Sequence, residues 1–70
     1  MKPDISDYKD AKCLCQDSIG NWYINTATSD VKLNSTGWLV DEAYSEFWIL
    51  ISTSTKVNNW QDSLEIIANN

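Results

Sequence analysis

The chain has 70 residues, which limits it to one small core, and we read residues 1–70 as a single domain. With 43% hydrophobic and 21% charged residues it is too apolar to stay disordered. Ten acidic residues against five basic ones give a formal charge of -5, which disfavours direct contact with nucleic acid or an anionic membrane.

The opening Met1-Lys2-Pro3-Asp4 is polar and no apolar stretch follows it, so the sequence reads as lacking a secretory leader. The longest clean apolar run, Phe47 to Ile51, is of strand length and far short of the ~18 residues a bilayer requires. A cytoplasmic protein is expected. Residues 1–10 carry Asp4, Asp7 and Asp10 at three-residue spacing around Ile5 and Tyr8. That spacing fits a flexible acidic arm or one short helical turn.

The clearest local signal is a hairpin. Lys12 to Gln16 and Trp22 to Thr26 flank Asp17-Ser18-Ile19-Gly20-Asn21, with Gly20 placed for the positive-φ position of a short loop. This register sets Leu14 opposite Ile24 and Gln16 opposite Trp22, with Cys13, Cys15 and Tyr23 on the other face. Both faces are partly apolar, so the pattern leaves either one as the core. Residues 28–36 are rich in Ser, Thr, Asn and Asp, with Val31 and Leu33 alternating, which predicts a loop carrying a short edge strand.

Residues 37–53 support two readings. Leu39, Val40, Ala43, Tyr44, Phe47, Trp48 and Ile51 fall on helical spacing, whereas Phe47 to Thr53 is aromatic and β-branched like a buried strand. We favour a strand over 37–41, a tight connection through 42–45 and a central strand over 46–54. The alternative is a helix over about 37–46. At the end, Asn58 or Asn59 is placed to cap a C-terminal helix over roughly 59–68, with Trp60, Leu64 and Ile67 on one face and Asp62 near its positive end.

Catalytic chemistry finds little here. The chain has no His, and its five cations are Lys2, Lys9, Lys12, Lys32 and Lys56, so Arg is absent too. Without imidazole the usual acid–base and nucleophilic triads are excluded, and without guanidinium the usual fork for phosphate is missing. Two isolated Gly residues make no phosphate-binding loop. Cys13 and Cys15 are too close in sequence for an unstrained disulfide and too few for a metal centre, so they read as small apolar core groups. No cofactor or metal is expected, and the protein reads as a non-enzyme.

Acids and rings remain. Neighbouring pairs such as Trp22-Tyr23 and Phe47-Trp48 send one ring to each face of a strand, and the acids Asp41, Glu42 and Glu46 lie beside Tyr44. The candidate partner-binding residues are therefore Asp41, Glu42, Tyr44, Glu46, Trp48, Trp22 and Tyr23.

The segment Gly20-Asn21-Trp22-Tyr23 resembles the returning strand of the opening hairpin in SH3-like barrels of the Tudor kind. The resemblance covers about a fifth of the chain. It implies an SH3-like sheet and recognition of methylated Lys or Arg by an aromatic cage, and it assigns no residue a role.

The expected fold is α+β: a small twisted antiparallel sheet of about four strands, SH3-like in the reading just given, with a short C-terminal helix. The expected function is that of an acidic protein-binding module. Its partner is a larger protein with a basic surface, blocked as a phage or other mobile-element inhibitor would block it. The alternatives are an SH3- or Tudor-like reader of peptides and a self-associating subunit that forms a homo-oligomer through a strand edge.

Overall fold

The computed structural model describes residues 2–67. Six strands and two 3-10 turns follow in the order β1 (Cys13–Gln16), β2 (Asn21–Asn25), β3 (Lys32–Leu33), β4 (Trp38–Leu39), η1 (Glu42–Phe47), β5 (Trp48–Thr53), η2 (Trp60–Asp62) and β6 (Glu65–Ile66). One antiparallel sheet has the order β5-β2-β1-β6, and β3 and β4 form a separate two-stranded ribbon.

The central hairpin forms in the expected register, with Leu14 opposite Ile24, Cys15 opposite Tyr23 and Gln16 opposite Trp22. Its loop is held by the Asp17 carboxylate, which accepts from the backbone N–H groups of Ile19 and Asn21 at 3.0 Å each. Gly20 takes φ +99°, a region open to Gly and strained for residues with a Cβ.

Both faces of this hairpin are covered, which answers the question the sequence left open. All four residues of β1 are buried. On one face Leu14, Trp22, Ile24 and Ala11 form the apolar cluster, with Ile5, Ile51 and Ile67 packed against it. On the other lie Cys13, Cys15, Tyr23 and Asn25. There the buried Asn25 amide donates to the Tyr44 carbonyl at 3.2 Å, and its oxygen accepts from the N–H groups of Ala27 and Thr28. That single side chain ties η1 and the start of the long crossing segment to the second face.

Two segments differ from expectation. Residues 46–54 are not a central strand: η1 runs to Phe47, and β5 lies at the sheet edge, paired with β2. Asp41 caps η1 by accepting from the Ala43 N–H at 3.0 Å, so the helical spacing of 39–48 is spent on a short 3-10 turn rather than on a helix over 37–46. A bulge falls where the register changes between Trp22/Ser52 and Tyr23/Leu50, leaving Ile51 as the extra residue. A bulge directs two successive side chains to the same side. Ile51 therefore reaches the apolar cluster while Ser52 still sits beside Trp22.

The C-terminal helix expected over 59–68 is absent from its described part, residues 59–67; residue 68 lies outside the described residues. Trp60 to Asp62 make one 3-10 turn, Asn59 makes no side-chain cap, and β6 then pairs with β1. The physical reason lies in the free edge of β1. Its backbone groups are buried and must be paired, and a strand supplies partners that a helix would not. Ser63 Oγ accepts from the Gln16 N–H at 2.8 Å, and the Ile67 N–H donates to the Lys12 carbonyl at 3.0 Å. The β-branched pair Ile66-Ile67 suits that geometry.

The N-terminal arm carries two successive turns, closed by the Tyr8 N–H to Ile5 carbonyl and Ala11 N–H to Tyr8 carbonyl bonds. Ile5 docks on the apolar cluster, and Lys2 forms an ion pair with Glu65. Among the described residues no helix is long and apolar enough to cross a membrane.

Candidate functional site

The face of the sheet opposite the apolar cluster carries a groove of about 360 Å³, lined mainly by Tyr23, Trp38 and Trp48, with Cys15, Asp17 and Leu39 among its other walls. This is at the small end of the range for ligand sites. Each ring is placed by a different element. Tyr23 stands in the middle of β2 and Trp48 begins β5, and the two meet edge to face with centroids 6.1 Å apart at 71°. That geometry is the favoured one for aromatic pairs and fixes both rings.

Trp38 opens β4. Its indole N–H donates to the Gln16 carbonyl at 2.9 Å, and its ring meets the buried Trp60 edge to face at 6.4 Å and 90°. The ribbon that carries it is closed by the Asn34 N–H to Gly37 carbonyl bond at 2.8 Å and fastened to the hairpin loop by the Ser18 N–H to Thr36 carbonyl bond. Trp38 is thus locked from behind while its remaining surface lines the groove. Asp17 adds a carboxylate to the wall.

Acids continue along the same side of the molecule. Asn25, two residues from Tyr23 and so on its face, holds η1, where Asp41, Glu42, Tyr44 and Glu46 are all exposed. Leu39 lines the groove and also a second hollow that includes Asp30, Lys32 and Asp41. The apolar rings of the groove therefore share their wall with the Asp17 carboxylate, next to a hollow that holds two aspartates and one lysine.

Of the residues singled out from sequence, Tyr23 and Trp48 line the groove, and Asp41, Glu42, Tyr44 and Glu46 form the neighbouring turn. Trp22 does not belong with them. It is 5% exposed in the apolar cluster, and its indole N–H donates to Ser54 Oγ at 3.1 Å. The strand alternation that sends Tyr23 to the groove necessarily sends Trp22 inward. Trp38 and Asp17 were not singled out. A lone Trp after Gly37 in a polar stretch is a weak signal, because the ribbon that brings it to β1 is only two residues wide on each side.

The thiols do not contribute reactivity. Burial pushes the Cys13 thiol up, and burial, with Cys13 and Asp17 nearby, pushes Cys15 up to about 12. Both are therefore neutral at physiological pH. Among the described residues no group of His, Cys, Asp or Glu is arranged to hold a metal ion.

No known family model, curated protein or solved structure matches the chain.

Proposed function

We propose that the protein is a non-enzymatic, acidic protein-binding module that engages a basic surface of a larger protein and thereby blocks it. The observation that carries this reading is the groove walled by Tyr23, Trp38 and Trp48 beside the exposed acids of η1. Rings locked by edge-to-face contacts lose little entropy on binding, and rim carboxylates steer a cationic partner into place. The chain's charge of -5 has the same sign as those carboxylates, so the long-range field and the local site act together.

A second reading draws on the rings alone. Three aromatic walls and the Asp17 carboxylate around one groove suit a single Lys or Arg side chain, plain or methylated, held by cation–π attraction. Both readings are tested by titrating a Lys- and Arg-rich peptide, unmodified and methylated, while following Trp fluorescence. Saturable binding is expected, weakened about tenfold or more when Trp48 is replaced by Ala, a loss of about 1.4 kcal/mol. Higher salt weakens it further. A response that W48A leaves unchanged contradicts the reading.

A further inference from the structure

The edge strand β5 has neither proline nor charge to protect it, and its one protective feature is the bulge in its second half. Its six residues, Trp48-Ile49-Leu50-Ile51-Ser52-Thr53, include no Pro and no charge, and among the described residues it pairs on one side only. Ile49 and Leu50 point to opposite faces and are 41% and 53% exposed. The bulge at Ile51 twists the strand's second half but leaves Trp48 to Leu50 in regular pairing. An uncharged, apolar edge with free backbone groups is a template for another strand.

The charges at the two ends of β5 indicate which strand. Glu42 and Glu46 precede it and Lys56 follows it, all exposed. Two copies related by a two-fold axis through β5 run antiparallel, so the Glu46 end of one lies beside the Thr53–Lys56 end of the other. Such an isologous contact also places Leu50 near its counterpart. We propose that β5 pairs with β5 of a second copy, joining two four-stranded sheets into one of eight strands. The contact is narrow and each chain carries a charge of -5, so the association is weak and is strengthened when salt screens that repulsion. That salt response is opposite to the one expected for a basic partner, so the two proposals fail separately.

Sedimentation equilibrium of the purified chain tests the pairing. The apparent mass should rise from one chain toward two as concentration increases from about 10 µM to about 1 mM, more steeply at 0.5 M salt than at 0.05 M. Leu50→Lys should hold the mass at one chain, while Leu33→Lys, at a site 55% exposed but off the edge, should not. Hydrogen exchange should slow at β5 amides as concentration rises. A wild-type chain that stays monomeric throughout overturns the proposal, as does association that L50K leaves intact or exchange that slows elsewhere and not in β5.

Discussion

Cys15 lies on the groove wall yet is 1% exposed, and Cys13 beside it is 0% exposed. Removing a proton from either would leave a thiolate in a site with little water and, for Cys15, near the Asp17 carboxylate. The folded Cys15 value of about 12 stands above the ordinary 9.0, so the native state retains a proton that the unfolded chain releases first. Stability from this source is complete below about pH 9 and is lost as pH rises toward 12. We therefore expect a denaturation midpoint insensitive to pH from 7 to about 9 and falling above it. At pH 8 a thiol reagent should label neither Cys until the chain unfolds. Rapid labelling of the native protein would contradict this account of the second face.

At the level of elements, the fold is held where the hairpin loop meets the end of β5. The Ser54 N–H donates to the Gly20 carbonyl at 2.9 Å, and Ser54 Oγ accepts from Gln16 Nε2 at 3.0 Å and from the Trp22 indole at 3.1 Å. A Cβ on Gly20 would stand 2.3 Å from the Ser54 carbonyl oxygen, with φ already at +99°. Backbone lies on both sides of that clash, so no side chain can turn aside. Gly20→Ala is expected to cost about 2–4 kcal/mol, which a 70-residue core can barely tolerate. Chemical denaturation measures it, and a loss under about 1 kcal/mol would show that the junction yields.

Which of these elements the sequence revealed depends on how local their causes are. The hairpin was legible because its loop, its Gly20 and its alternating strands lie within 15 residues of one another. Its core face was not legible, since β1 is covered on both sides and a strand buried on both faces loses its period-two signal. Residues 59–67 misled for a different reason. Trp60, Leu64 and Ile67 fit a helical stripe, but the unpaired edge of β1 supplied hydrogen bonds that only a turn and a strand could satisfy. The same distance effect hid Trp38, whose place on the groove depends on the Gln16 carbonyl 22 residues earlier.

For the molecule as a whole, a thin sheet has one face committed to the apolar cluster and the other shared between buried polar ties and an open groove. In the described residues no buried side-chain polar atom lacks a partner. Asn25, on the second face, is buried and bonded through both its amide nitrogen and its oxygen, while Gln16, on the face of Leu14 and Trp22, is buried with its amide nitrogen bonded to Ser54 Oγ. The four Trp residues divide accordingly: Trp22 and Trp60 are buried, whereas Trp38 and Trp48 line the groove. That division can be read directly from the four indole N–H resonances. On addition of a Lys- and Arg-rich peptide, the central claim predicts that the Trp48 indole moves most, with Trp38 next and Trp22 unmoved. Peptide binding that shifts Trp22 while leaving Trp48 in place would contradict it.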